Sequence, residues 1–281
     1  MKNLYILTGI LLLAGVAAHA QSDIRKVDFK NFTFQPSCTD MEDGKNAEKI
    51  TVKDGEFSRE KQMDGYVDRF YFSILAIDYG DLTGDKQDEA VVLSVCNTGG
   101  TGQFTEGFIY TIKGAKPVLL ARVPGGDRAD GGLRTLTVED GILVVEANDE
   151  GQSAGACCPE GTITSKFRLT GDKLNEVGTA VKRELYPKQR ISFAKGTSEK
   201  TFTVKIAPED RKRFTVGARA GQTLTVSAST GDVYLNLMGD TEAKEGKNSF
   251  TAKLPANGDY TFEVGNDTNK EVEVTVTVKI L

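Results

Sequence analysis

Between residues 90 and 170 short apolar runs alternate with polar turns: "AVVLSVC" (90–96), "GFIYTI" (107–112), "PVLLARV" (117–123), "LRTLTVE" (133–139), "ILVVEA" (142–147) and "TITSKFRL" (162–169). Their lengths and their Val, Ile, Leu and Thr content predict β-strands. The connections "KGAK" (113–116), "EDG" (139–141) and "GDK" (171–173) predict tight hairpins, because each offers a glycine for a positive φ. Strands joined in this way predict an up-and-down antiparallel meander, in which alternate connections share one end of the sheet. That parity gathers the loops 97–106, 124–132 and 148–161, with Cys96, Cys157 and Cys158, at one end, and sends the 78–88 loop to the other.

From residue 190 onward the pattern is again strand after strand, with clear alternation in "TFTVKI" and "VEVTVTV". Alternation means one dry and one wet face per sheet. Asn257-Gly258 in "PANGDY" predicts a further hairpin, and seven or eight short strands in this length predict a β-sandwich. The segment "RELYPKQR" (183–190), with a proline, four charges and little apolar content, reads as the boundary. The expected fold is all-β: an N-terminal antiparallel β-meander domain over 21–184, a linker at 185–190, and a C-terminal jelly-roll-like β-sandwich over 191–281. Thirty glycines and no tryptophan agree with it.

The first twenty residues change the picture of location. A single lysine, an apolar run from Leu4 to Ala18 and Ala18-His19-Ala20 as an A-x-A site read as a cleaved export signal, so the mature chain is expected to begin at Gln21 and to insert in no membrane. A periplasmic or extracellular protein is the expectation. Cleavage removes Lys2 and His19, the only histidine, and leaves 34 basic against 40 acidic side chains, a net charge of −6. Without histidine, Ser-His-Asp and Cys-His catalysis and imidazole metal sites are excluded. Interspersed charges with a mild acidic excess argue against nucleic acid, which rewards clustered Lys and Arg.

In "DYGDLTGDKQDEAVVL" (78–93) acidic and hydroxyl side chains alternate before a strand. The register of a calcium loop would place Asp81, Thr83 and Asp85 at positions 1, 3 and 5, Gln87 at 7 and Glu89 at 9. Lys86 stands where the sharp turn favours glycine, and Val92 where an EF-hand has its bidentate glutamate. The competing reading is a turn in which Asp81 and Asp85 accept hydrogen bonds from neighbouring amides. No other cofactor is expected.

Loop 124–132 offers Asp127, Arg128 and Asp130 between two glycine pairs, and loop 97–106 offers Gln103. Both are candidate partner-binding surfaces, the alternative being a long loop with a local Arg–Asp pair. Four cysteines in an exported chain predict disulfides. The parity of the loops favours a staple joining Cys96 to Cys157 or Cys158; Cys157–Cys158 with Cys38–Cys96 is the rival.

Three resemblances add to this. The Asp-rich turn with its strand is similar to the turn of secreted FG-GAP-like repeats, over about fifteen residues in a single copy. "FKNFTFQPSC", "GGDRADGGLR" and "SAGACCP" resemble an uncharacterised secreted bacterial module. The second half, through "A-x-A-G-Q-x-L-x-V-S" (218–227) and "L-P-A-x-G-x-Y" (254–260), resembles the sandwich of bacterial pre-peptidase C-terminal-like domains and of periplasmic g-type lysozyme inhibitors. The inhibitors' Ser-Gly loop with a nearby tyrosine finds its nearest match in Thr230-Gly231-Asp232-Val233-Tyr234, which makes Tyr234 a candidate partner contact, against a hairpin turn with the ring packed on a sheet. The functional expectation is an exported, non-enzymatic envelope protein that binds a protein or polysaccharide through its loops; the alternative is inhibition of a g-type lysozyme.

Overall fold

The computed structural model describes residues 23–40, 46–152, 155 and 157–281. The expected export signal lies outside these residues. The chain divides into two compact units: Asn148–Ile163 with Val181–Leu281 form one, and the described residues up to Ala147 with Thr164–Ala180 form the other. Nearly all regular structure is β-strand.

In the first unit β1 (Thr33–Phe34) pairs with β2 (Ile50–Thr51). β3 (Glu56–Met63), β4 (Tyr66–Gly80), β5 (Glu89–Asn97), β6 (Phe104–Lys113) and β7 (Lys116–Asp127) follow one another as an antiparallel sheet. β8 (Leu133–Glu139), β9 (Ile142–Asn148), β10 (Gly161–Thr170) and β11 (Lys173–Glu176) form a second sheet in the same serial order.

The continuous apolar run of β5 has its explanation in two covered faces. Ala90, Val92 and Cys96 face a cluster with Phe29, Phe34, Phe72 and Phe108, and Val91 and Leu93 face one with Leu133, Leu136, Leu143 and Leu169. The β6–β7, β8–β9 and β10–β11 turns are tight, as expected, with positive φ at Gly114, Asp140, Gly141 and Gly171.

The meander is not continuous, however. β7 and β8 lie in different sheets, so "PGGDRADGG" is a crossing and not a hairpin. The apolar face of Val91, Leu93, Ile109 and Val123 needs a cover, and β8 supplies it by packing upon that face. The sequence pattern also passed over the β3–β4 hairpin, whose strands carry many exposed charges; Asp64-Gly65, with Gly65 at φ 85°, is its turn. Asp78–Gly80 belong to β4, so the acidic turn begins only at Asp81.

The second unit is a sandwich. One sheet has the order β13 (Lys188–Ile191), β15 (Arg211–Ala218), β20 (Gly258–Gly265), β17 (Tyr234–Leu237). The other has β14 (Glu199–Ile206), β21 (Val272–Ile280), β16 (Thr223–Ala228), β19 (Ser249–Lys253), β18 (Lys244–Gly246). Pairing is antiparallel except between β13 and β15. β12 (Val181–Glu184) runs beside the start of β10, and the Leu185 N–H bonds the Glu160 carbonyl.

Val274, Val276, Val278 and Ile280 of β21 point into a core with Phe214, Phe250 and Phe262, while Glu273, Thr275, Thr277 and Lys279 point out. Two expected hairpins are absent from their positions. Thr230–Asp232 joins β16 to β17, and Asn257-Gly258 joins β19 to β20, and both pairs lie in different sheets. The Asn257 side chain accepts a bond from Ala220 N at 2.9 Å, which fixes a corner between sheets.

Phe262 is fully buried against the rings of Phe214 and Phe250. Replacement by alanine is expected to cost about 3–5 kcal/mol through lost transfer energy and a residual cavity, read as a lower urea midpoint with an unchanged slope.

Candidate functional site

The expected calcium ligands form an amide-capping turn. The Asp81 Oδ1 accepts from Gly84 N at 2.6 Å and Asp85 N at 3.2 Å, and Oδ2 accepts from Lys86 N at 2.8 Å. Asp85 accepts from Gln87 N, and Thr83 gives its amide to Glu89. Glu89, fully buried, accepts from Leu82 N, Thr83 N and the Thr111 hydroxyl. Burial pushes the Glu89 carboxyl above its ordinary range, although those three donors act against it. N–H groups aimed at the oxygens occupy the positions a cation would need. Among the described residues no group of three or more His, Cys, Asp or Glu side chains is arranged to hold a metal ion.

Gln103, Asp127, Arg128 and Asp130 do come together. The Asp127 carboxylate accepts from Gln103 N at 2.6 Å and from Arg128 Nε at 3.0 Å, and Asp130 N bonds the Asp127 carbonyl. Although burial opposes it, these donors hold Asp127 below the usual carboxylate range. Gly126 is obligatory, since a Cβ there would lie 1.7 Å from the Asp130 carbonyl oxygen. The amides of Gly126, Arg128, Asp130 and Gly132 all bond within this unit's loops, so they do not form an open anion cradle.

The cysteines pair as Cys38–Cys96 and Cys157–Cys158. The staple favoured by loop parity does not form. Parity places residues at an end of a sheet but says nothing of its faces, and Cys96 points to the face covered by the segment that carries Cys38.

A concentration of coupled charge lies in the second unit, around Arg213. On β15, Phe214 and Val216 point inward, so Arg213 is on the outer face, yet it is only 7% exposed. Register explains one partner: Arg213 stands opposite Glu263 on β20, and its Nε donates to Glu263 Oε2 at 3.0 Å. The 148–163 segment supplies the other. Both terminal nitrogens of Arg213 donate to the Glu160 carboxylate, one of them at 2.9 Å. The Arg211 guanidinium lies 4.3 Å from the Tyr186 ring centre, and that of Arg213 5.2 Å.

Tyr234 belongs to the same cluster. Its hydroxyl donates to Glu263 Oε1 at 3.0 Å, and its ring lies flat against Gly265, where a Cβ would come within 2.0 Å of it. Burial and the bond to Glu263 push its pKa up to about 12. The hydrogen bonds from Arg213 hold Glu160 below its ordinary range, and the same bonds raise Arg213. A second tie secures the loop, where Asp149 receives Lys182 Nζ at 3.1 Å and the Gln152 amide at 2.9 Å.

Beside this cluster is an open hollow of about 260 Å³, lined by Gly151, Gln152, Glu160, Glu184, Tyr186, Lys188 and Arg213. None of the residues that line it figures among the candidates read from sequence; Tyr234 joins the cluster only through its bond to Glu263. Glu160, Glu263 and Arg213 left no local signal, because their partnership depends on strand register and on a fold-back of the 148–163 segment. Tyr186 was visible as the one aromatic residue in the boundary segment.

No protein-family model matches the chain, and no curated protein matches it. Among solved structures it is similar to Aeromonas hydrophila PliG, a periplasmic lysozyme inhibitor of g-type lysozyme, at 22% identity over 34% of this chain and 96% of that one, with a TM-score of 0.30. Salmonella Typhimurium PliG gives 23% over 34% and 97%, with a TM-score of 0.29. A mutant of the Escherichia coli inhibitor gives 22% over 34% and 97%, also with 0.29.

Glu89→Gln can keep the bonds from Leu82 N and Thr83 N on its carbonyl oxygen and reverse the third, its NH2 donating to the Thr111 hydroxyl, without a buried charge. A carboxyl raised by burial weakens the fold at pH values above its unfolded pKa, so this variant should melt higher than the parent at pH 7 and lose the advantage below about pH 4. Glu89→Ala should cost about 2–4 kcal/mol at any pH. For Glu160 the sign is opposite. Its contribution is complete above the ordinary glutamate range near pH 4 and is lost as pH falls through its depressed value, so amide exchange of the 148–163 segment should accelerate below about pH 4 before the sandwich unfolds.

Proposed function

We propose that this is an exported, non-enzymatic protein that binds a partner of the bacterial envelope at the Arg213 hollow. The observation that supports this reading is the state of the charged groups around it. Glu160 and Glu263 both accept from one guanidinium, and the Tyr234 hydroxyl donates a hydrogen bond to Glu263. A general acid or base needs a pKa near the working pH, and here Glu160 is held low and Tyr234 high. At the rim the side chains of Lys188 and Glu184 form no ion pair among the described residues, which leaves them available for a ligand. Export is supported by the signal pattern of residues 1–20, and no helix among the described residues is long and apolar enough to cross a membrane.

A photo-crosslinking residue at position 188 of the full chain, activated in living cells, is expected to trap an envelope component that the same residue at Lys253 does not. Equal recovery from both positions, or from neither, would contradict the proposal.

Inhibition of a g-type lysozyme is a second reading, favoured by the sequence pieces 218–227 and 254–260. With Tyr234 engaged by Glu263, an inhibitory contact would have to use other residues. If this reading holds, the mature chain inhibits cell-wall lysis saturably and Tyr234→Phe does not abolish the effect.

A further inference from the structure

Lys188 lines two hollows at once. Beside the first lies a second of about 310 Å³, lined by Met238, Gly239, Asp240, Thr241, Asp259, Tyr260 and Thr261 together with Lys188. We propose that the two form adjoining subsites for a neutral, hydroxyl-rich ligand, namely successive residues of an uncharged polysaccharide. This rests on the reading of the Arg213 hollow as a binding site and assigns its ligand.

Three observations carry the assignment. The first is charge balance. Around the first hollow Lys188, Arg211 and Arg213 stand against Glu160, Glu184 and Glu263. Around the second, Lys188 and Arg190 stand against Asp240 and Asp259, with Arg190 Nη1 2.6 Å from the Asp259 carboxylate. An anion meets Glu184 and Asp240 there, and a cation meets Lys188, so neither is attracted by a dominant field.

The second observation is lining. The first hollow is walled by carboxylate, ammonium, guanidinium, phenol and amide side chains, and the second by carboxylates, an ammonium and hydroxyls together with the Met238 side chain. The polar groups donate to and accept from hydroxyls, and the Met238 and Tyr260 side chains offer apolar surface to the face of a sugar ring. A peptide partner would need apolar pockets for anchoring side chains. In the second unit the exposed large apolar side chains are Val181 and Leu281, and neither lines a hollow.

The third is shape. Each hollow is near the lower end of the volumes used by small ligands, about 300 Å³. Sharing one lysine between them fits a repeating ligand better than one compact molecule.

The test is ligand-observed NMR on the mature full chain with three probes of equal length: an N-acetylglucosamine oligomer, a galacturonate oligomer and a glucosamine oligomer. The expected result is saturable binding of the neutral oligomer, about tenfold weaker binding of the two charged ones, and at least about a tenfold loss for Lys188→Ala and for Glu184→Ala. Both variants sit at exposed positions and should melt like the parent.

Saturation that those variants leave unchanged, stronger binding of a charged oligomer, or displacement of the neutral oligomer by an unrelated short peptide would overturn the assignment. So would the absence of saturation by any neutral oligomer at about 20 mM. If crosslinking at position 188 still trapped a protein in that last case, the ligand class would be wrong and the binding site right; failure of both would remove the site as well.

Discussion

A guanidinium on the outer face of β15, with all three of its nitrogens given to carboxylates, governs the second unit. Strand register provides Glu263 directly across from Arg213, and the 148–163 segment delivers Glu160 from far away in the chain. Removing one member of such a buried set leaves the others charged and unpaired, at a cost of about 3–5 kcal/mol, whereas the intact set is close to neutral in its net effect on stability. Its consequence is therefore positional. It ties Glu160 to β15, on the side of the hollow that Gly151 and Gln152 also line.

The neighbours follow from that constraint. Tyr186 lies under Arg211 and Arg213, where cation–π attraction adds to its packing, and Tyr234 can lie across Gly265 only because glycine has no Cβ. Rigid internal pairs and free rim charges divide the site into a frame, made by Arg213, Glu160, Glu263 and Tyr234, and a contact surface, made by Lys188 and Glu184. The Asp81 turn and the Asp127 loop of the first unit look similar in sequence, rich in acid and glycine. In the first the oxygens are consumed by the turn's own amides, and in the second by the Gln103 amide and the Arg128 guanidinium.

What was legible in the sequence followed from periodicity. Alternation in "VEVTVTV" gave the inward valines of β21, and the unbroken run in "AVVLSVC" became a strand covered on both faces. Turn chemistry was legible where a single glycine closed two apolar neighbouring strands, as at Gly114, Gly141 and Gly171. It failed at Asn257-Gly258 and at Gly231, because the same residues also build corners between sheets, and only the core decides which strand comes next. The staple expected for Cys96 failed for a related reason, as a loop's end of the sheet does not fix its face. Arg213 was illegible as a site residue: an outward arginine on an alternating strand has the signature of a solvated charge, and its burial comes from residues about fifty positions away.

The Glu160–Arg213 pair is the tie that holds Glu160 against the second unit's sheet. The most direct test is a double-mutant cycle on Glu160→Gln and Arg213→Met, read by urea unfolding of the mature chain. The two losses are expected to be strongly non-additive, with a coupling above about 1.5 kcal/mol. Additivity within about 0.5 kcal/mol would show that the two residues do not depend on one another, and would contradict such a tie.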